Sequence, residues 1–474
     1  MPIKRIMRDA VLYGLSIAIM KGISLLMLPF VTRYLSPSEF GRLELIGTFT
    51  MIASIVAGLG LAESLYRYAG QAKTDKEASE HASRIFGLTL IMGIVVLALT
   101  FVSAPLFQSI LPGEPSLLDV HLVMSMLALE GVIAVPLGWL RMQNKAGLFF
   151  SFTLGRAILQ AILIIVFLEQ GYGVTGVLAT GLISAIVIAA LLSIWHIKNT
   201  GIIFKHPQNS ATIIYSLPIV GTGIMAFGLF GLDRWILNIF FSHDDVGIYA
   251  VSAKFALTTV LLFQPFTMWW QPNRFRVLSD NHERYTQIVT LGIVILVTIM
   301  VGVNLGAPVL INWIMPENYQ HSISLLAGLI IAMALKELAE LVNIGCLTGD
   351  RTEKQFYINI MSTTIGVIGM LLLGHQVGIQ GVIFGLNLGY ASKAIALYFA
   401  SQKVVRINLP HKKLFIIIAA AGLLIAHTPD LENNFIGLIQ ATVITLLIPA
   451  LATVIEWRHV YQWITKRYLA EAKF

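Results

Sequence analysis

The stretch YLSPSEFGRLEL, residues 34–45, returns in a related form as FFSHDDVGIYAV, residues 240–251. The first copy carries Ser36, Glu39 and Gly41, and the second carries a serine, an aspartate and a glycine 206 positions later. Each copy stands at the end of a long apolar segment. The shared pattern is typical of an internal repeat.

A second pair of matching stretches has almost the same spacing. GVTGVL at residues 173–178 and GIQGVI at residues 378–383 are offset by 205 positions. Chance similarity between glycine-rich loops is the alternative explanation. Two separate matches with nearly equal offsets favour a duplication within the chain.

Long apolar segments follow one another along the chain. Its 474 residues are 57% hydrophobic and 12% charged, which is more apolar than a soluble protein of this length can hide in a core. A helix of about 20 apolar residues crosses about 30 Å of hydrocarbon. Twelve spans would preserve the pattern of loop charges equally well, but we predict fourteen. We number them 1 to 14, at residues 10–32, 43–65, 85–111, 118–140, 148–168, 174–197, 213–241, 248–270, 288–311, 323–347, 356–373, 378–399, 414–426 and 435–455.

Lysine and arginine are distributed unevenly over the predicted loops. With a cytoplasmic N-terminus, 25 of the 32 basic residues fall in inner loops and tails, a set that includes Arg156. The outer loops hold only Arg33 and Arg42. The positive-inside rule therefore predicts that both termini are cytoplasmic.

The repeat also predicts the domain organisation. An offset that covers six spans, an even number, leaves the two copies in the same orientation, as in transporters whose parallel halves rock about a central site. We predict an all-α polytopic membrane protein of about fourteen transmembrane helices, built from two parallel six-helix repeats and a C-terminal helix pair. The lobes would be residues 1–206 and 207–408, and residues 409–474 would hold two additional helices and a cytoplasmic tail.

The sequence also argues against several function classes. A single cysteine, Cys346, cannot form an internal disulfide, and the chain has no C-x-x-C or H-x-x-x-H pair, so we expect no metal and no cofactor. The net charge of +7 is spread over short loops, which argues against a nucleic-acid partner. The chain lacks the G-x-x-x-x-G-K-[ST] motif of ATP-driven pumps. Predicted outer loops of at most about a dozen residues leave little room for a catalytic surface, so we do not expect an enzyme.

RYLSPSEFGRLEL at residues 33–45, followed by LGLAESLYRYAG at residues 59–70, resembles the N-terminal region of the bacterial polysaccharide-biosynthesis flippases. These belong to the multidrug/oligosaccharidyl-lipid/polysaccharide exporter superfamily, and the likeness extends through the repeat and the C-terminal pair. The resemblance implies alternating access in the bacterial inner membrane. It implies a substrate linked to undecaprenyl pyrophosphate, such as an O-antigen unit for lipopolysaccharide, with membrane lipids and H⁺ or Na⁺ as further partners.

Two other functions stay open. An ion-coupled multidrug antiporter of the same superfamily would share the repeat, although a cavity for cationic drugs should be rich in carboxylates. A polytopic glycan-processing enzyme would act on the same lipid-linked sugars. Basic residues inside the spans favour the flippase over both.

Ionisable residues inside the spans are the candidates for a substrate site, since at bilayer depth such groups line a cavity or pair with one another. The resemblance places spans 1, 2, 7 and 8 around the central cavity, and a phosphate there needs cationic groups to replace its hydration. We therefore predict that Lys21, Arg234 and Lys254 bind the substrate. Alternatively, Arg234 neutralises a neighbouring carboxylate and Lys254 snorkels to the membrane surface.

Two acidic residues are candidates for a coupling-ion site. Glu130 has no oppositely charged neighbour in its own span, and Asp233 adjoins a predicted phosphate ligand. A partner for Glu130 on another helix is the alternative. Among the other intramembrane charges, we expect Glu44 to snorkel, and Lys336 and Glu340, four residues apart, to neutralise each other.

Overall fold

The computed structural model describes residues 14, 19–229, 231–348, 352–426 and 431–454, and the regular elements in these ranges are all helices. Residues 19–26 are helical. The following helices are α1 Leu28–Tyr34, α2 Pro37–Ala57, α3 Leu61–Gly70, α4 Asp75–Ile110, α5 Leu117–Ala128, α6 Glu130–Met142, α7 Ala146–Glu169, α8 Gly173–Asn199, α9 Asn209–Phe227, α10 Leu232–Phe240, α11 His243–Asp280, α12 His282–Ile314, α13 Ile323–Leu341, α14 Ile344–Leu347, α15 Thr352–Val377, α16 Ile379–Gln402, α17 His411–Ala426, α18 Phe435–Thr445 and α19 Leu447–Val454. A 3₁₀-helix, Glu317–Ser322, precedes α13.

Within the described ranges, 11 helical segments are long and apolar enough to cross a membrane. They coincide with predicted spans 2–6, 8–12 and 14, which confirms an all-helical, multi-pass membrane protein. The count of fourteen is not confirmed. Most of the first half of span 1 lies outside the described residues, and span 7 is divided into α9 and α10. The part of span 13 that the structure describes is the 16-residue α17, about 24 Å long against about 30 Å of hydrocarbon.

Several of the predicted spans contain a break in the helix, and those in spans 2, 4 and 7 precede acidic residues. Span 2 passes from α2 to α3 through Leu59 and Gly60, whose φ angles are 46° and 59°. Glycine adopts this left-handed backbone conformation readily, whereas the Cβ of leucine makes it costly. Span 4 is interrupted at Leu129, and span 7 is interrupted before Gly231. A Cβ at Gly231 would overlap the ring of Phe227, so a larger residue there would require this ring to move.

The chain forms two compact units, Met1–Ala250 and Val251–Phe474. In the first unit, α3, α4, α6 and α8 pack around buried side chains such as Leu65, Phe86 and Trp139. The second unit has its own core between α11, α12, α13 and the helices that follow. The lobe boundaries at residues 206 and 408 were drawn from the sequence repeat and stay a prediction.

Helices α15 and α16 pack through small residues. A Cβ at Gly385 would overlap the backbone of Met370, and a Cβ at Gly381 would overlap the carbonyl oxygen of Leu373. In a membrane, small residues let two helix backbones approach closely, which increases their van der Waals contact. The glycines spaced four apart on α16 therefore form a packing face.

The substitution Gly385→Ala should lower the free energy of unfolding by about 1–3 kcal/mol, because the methyl group would overlap backbone atoms that cannot rotate away. Gly422→Ala on α17 is the matched control, since nothing lies within 4 Å of its added Cβ. Thermal unfolding of the purified variants, followed by tryptophan fluorescence, measures the difference. Equal unfolding midpoints for the two variants would contradict the close approach of α15 and α16.

Candidate functional site

The two copies of the repeated stretch have the same local structure. The Oγ of Ser36 accepts a hydrogen bond from the Glu39 N–H (3.3 Å), and the Glu39 carboxylate accepts one from the Ser36 N–H (2.9 Å). In the second copy, Ser242 and Asp245 make the same two bonds, at 3.3 and 3.1 Å. This reciprocal capping box satisfies backbone N–H groups that have no partner at the start of a helix. The matched residues therefore begin α2 and α11 in the same way.

The starts of α2 and α11 touch each other at the matched glycines. A Cβ at Gly41 would overlap the carbonyl oxygen of His243, and a Cβ at Gly247 would overlap the carbonyl oxygen of Pro37. The contact is reciprocal, because each glycine faces the first residue of the other helix. Any larger side chain at either position would separate the two helix starts.

A charged cluster joins α2, α10 and α11 within the first unit. The Arg234 guanidinium lies 3.1 Å from the Asp233 carboxylate and 3.7 Å from that of Glu44. The hydroxyl of the fully buried Tyr249 donates a hydrogen bond of 2.5 Å to Asp233. Arg234 thus faces two carboxylates, as the alternative interpretation of this residue expected. A substrate phosphate would have to compete with both of them.

A second hydrogen bond supports this arrangement. The indole N–H of Trp235 donates to the buried Thr48 hydroxyl at 2.8 Å, which attaches α10 to α2 a second time. Because Trp235 adjoins Arg234 in sequence, the bond holds the guanidinium beside Glu44. The arrangement is therefore a positioned, largely dehydrated ion cluster.

Helix breaks place acidic residues at new helix starts. Glu63, Glu130 and Asp233 each lie in the first turn of the helix that follows a break. The N-terminus of a helix carries a partial positive charge, so a carboxylate there is stabilised without a cationic side chain. This is a structural role for Glu130, whose partly buried carboxylate makes no ion pair with any described residue.

The predicted phosphate ligands fall into both compact units. Lys21 is partly buried on the helical stretch 19–26 of the first unit, which also contains Arg234. Lys254 is partly buried on α11 in the second unit, about 17 Å along the helix from His243. Of the five predicted site residues, Asp233 and Arg234 are in direct contact. Roles in substrate or ion binding stay predictions for all five.

The intramembrane charges of the second unit pair differently from our expectation. Glu340 lies 3.4 Å from Lys393 of α16, and Lys336 lies 3.8 Å from the adjacent Glu337. The Glu340 carboxylate also accepts a hydrogen bond from Asn343 at 2.8 Å. The ion-pair partner of Glu340 is thus Lys393, a residue on another helix that packs against α13.

Sequence reasoning missed Glu44 as a site residue. We expected its carboxylate to snorkel, but its side chain is only 15% exposed and faces Arg234. It also missed Tyr249, whose position on α11 gave no sign of a buried carboxylate partner. The one available signal was an acidic residue inside the repeated stretch.

The membrane-spanning helices show that this is a multi-pass membrane protein, and the cluster around Arg234 places charged groups inside its spans. The model of the family described as "Polysaccharide biosynthesis protein" matches residues 30–324. The chain therefore belongs to this family, which confirms the resemblance found in the sequence.

The sequence identity to individual members of related transport proteins is low. The succinoglycan biosynthesis transport protein ExoT of Rhizobium meliloti (strain 1021) is 22% identical over 272 residues, which cover 57% of this chain. The aligned region is 53% of ExoT, so the chain spans about half the length of that relative.

Solved structures reveal the fold over most of the chain. Lipid II flippase MurJ in an inward closed conformation has a TM-score of 0.77, with 14% identity over 95% of this chain and 100% of the MurJ chain. An inward-facing multidrug resistance transporter of the MATE family and MOP superfamily has a TM-score of 0.65, with 18% identity over 87% and 99% of the two chains. At such low identities, the likeness shows a shared fold.

Asp233→Asn should lower the free energy of unfolding by about 3 kcal/mol, because it takes away the nearest countercharge of a buried guanidinium. Tyr249→Phe is the control, since it removes one hydrogen bond from the same cluster and should cost about 1 kcal/mol. Thermal unfolding in detergent compares the two variants. If Asp233→Asn is no less stable than Tyr249→Phe, the carboxylate does not balance Arg234.

Proposed function

We propose that this protein is a flippase for an undecaprenyl-pyrophosphate-linked oligosaccharide. It would move an O-antigen unit, or a related polysaccharide repeat unit, from the cytoplasmic to the periplasmic leaflet of the bacterial inner membrane. Family membership supports a role in polysaccharide biosynthesis. The names of ExoT and MurJ, a succinoglycan transport protein and a lipid II flippase, support transport of lipid-linked sugars over catalysis.

The observation that carries the mechanism is the reciprocal contact between the starts of α2 and α11. At the glycines themselves the two equivalent helix starts meet through backbone atoms, and farther along α2 their separation would break the Arg234–Glu44 ion pair and the Trp235–Thr48 hydrogen bond. Such a contact suits a gate that closes and opens as repeats rock about a central site. With both termini in the cytoplasm, as the loop charges predict, this gate would be periplasmic.

Lys21, Arg234 and Lys254 would bind the pyrophosphate. Each lies at membrane depth, where a phosphate must exchange its hydration for charge-assisted hydrogen bonds. Arg234 would contribute only if the substrate displaced Glu44 or Asp233 from its guanidinium. Such an exchange would leave a carboxylate to be protonated or to bind Na⁺, which is how Asp233 would couple an ion to transport.

Ion-coupled multidrug export is the second candidate function, and the cluster around Arg234 favours it. Glu44 and Asp233 bring two carboxylates to one place in the membrane region, and carboxylates are the groups that a cationic drug would contact. Expression in a drug-sensitive bacterium separates the two functions. The flippase proposal expects unchanged resistance to cationic drugs and restored export in a strain that lacks its own polysaccharide flippase.

Lys21→Ala should reduce polysaccharide export at least about tenfold, because a phosphate would lose a charge-assisted partner, while Lys21→Arg should retain most of it. Lys76→Ala is the control, since this exposed lysine lies at the start of α4. Surface polysaccharide is measured in cells with equal amounts of each variant in the membrane. Full export by Lys21→Ala would remove Lys21 from the proposed site.

A cysteine pair at Ser38 and Asp244 should block transport when it is oxidised. Both positions lie three residues before the glycines in contact, on the same faces of α2 and α11, so a disulfide would hold the gate closed. The pair is placed in a Cys346→Ala background, and the two single-cysteine variants are the controls. Export should stop on oxidation and recover on reduction. Efficient crosslinking with undiminished export would show that the gate does not open there.

A further inference from the structure

Arg156 lies within a transmembrane helix and inside predicted span 5, so its place in our count of inner-loop charges was wrong. Helix α7 runs from Ala146 to Glu169 without a break, so Arg156 is about 15 Å from its first residue and about 20 Å from its last. An arginine at such a depth normally faces a cavity or a partner inside the protein.

The surface of α7 shows which way Arg156 faces. Its exposed large apolar side chains form one stripe along the helix, Leu148, Ile158, Ile162 and Val166. At 100° per residue, Arg156 is about 120° around the helix from the centre of that stripe. The arginine is partly buried and turned away from the lipid-facing side.

No carboxylate neutralises Arg156 among the described residues. The main packing partners of α7 are α8, α6 and α1, and the acidic residues on these helices and on α7 are Glu130 and Glu169. Glu169 is at the far end of α7, and Glu130 is not within ion-pair distance. A partly buried guanidinium inside a membrane span and without a counterion is costly, so an anion from elsewhere is expected to meet it.

Arg156 and Lys21 lie at matching depths on neighbouring helices. Arg156 stands 13 residues before Glu169 at the end of α7, and Lys21 stands 13 residues before Tyr34 at the end of α1. The backbone hydrogen bonds continue through Met27, which joins the stretch with Lys21 to α1. Spans 1 and 5 are four crossings apart in the predicted topology and therefore run in the same direction there, and α1 packs against α7. The two cationic side chains therefore start from the same depth in the membrane.

We propose that Arg156 is a second diphosphate ligand, which binds one phosphate while Lys21 binds the other. The planar guanidinium matches the oxygens of a phosphate in a bidentate geometry, and two cations at one depth match two linked phosphates. This inference rests on the proposed flippase function and adds a residue on span 5 to its substrate site. It makes the site selective for a diphosphate over a monophosphate.

Binding of three lipids to the purified full-length protein tests the inference. Undecaprenyl diphosphate, undecaprenyl monophosphate and phosphatidylglycerol are titrated separately and followed by native mass spectrometry. Arg156→Gln should weaken binding of the diphosphate about tenfold or more and binding of the monophosphate less than about threefold. Arg156→Lys should restore much of the loss. Lys198→Gln, an exposed charge at the end of the neighbouring α8, should change none of the three.

Several results would overturn the role of Arg156. These are wild-type diphosphate binding by Arg156→Gln, an equal loss for all three lipids, or the same loss in Lys198→Gln. Rescue of Arg156→Gln by a second substitution, Glu130→Gln, would make the arginine a structural partner of that carboxylate. If the wild-type protein itself does not prefer the diphosphate and Lys21→Gln has no effect, the proposed function fails. If Lys21→Gln weakens binding and Arg156→Gln does not, only this inference fails.

Discussion

An ionised side chain at membrane depth is stable only where other groups replace the water that it has lost. Arg234 meets this condition through Asp233 and Glu44. The hydroxyl of Tyr249 donates a hydrogen bond to Asp233 in the place of a water molecule. These four groups come from α2, α10 and α11 and hold the three helices together. The requirement for charge balance thus determines how the ends of the repeated segments pack in the first unit.

The same requirement gives a role to the helix breaks in spans 2, 4 and 7. A continuous helix satisfies its own backbone and has no free N–H groups at mid-membrane, whereas a break creates a helix start with a partial positive charge. Glu63, Glu130 and Asp233 lie at three such starts. The helix breaks therefore let carboxylates enter the membrane region without a lysine or arginine for each one.

For the proposed flippase function, substrate recognition would be a competition between anions. In the first unit, Arg234 already faces two carboxylates, while the guanidinium of Arg156 meets none among the described residues. A lipid diphosphate would gain more from Arg156, where no existing pair has to be broken. A cationic drug would instead favour the carboxylates around Arg234. The proposed flippase function and the alternative of multidrug export thus correspond to two different groups of charges.

The sequence by itself determined the membrane fold and the repeat, although it placed the starts of spans 2 and 8 at residues 43 and 248, several residues after the starts of α2 and α11. Apolar segments of sufficient length must become helices in lipid, and the capping boxes at Ser36 and Ser242 involve residues three apart, so both follow from local pattern. The family was also readable from the motif around Gly41. Only the tertiary structure decided the charge partners, such as Glu44 with Arg234 and Glu340 with Lys393. A charged side chain in the membrane needs a counterion. Which counterion lies within reach depends on the helix breaks and on packing between residues far apart in the chain. Hydropathy carries no information about the breaks or about this packing.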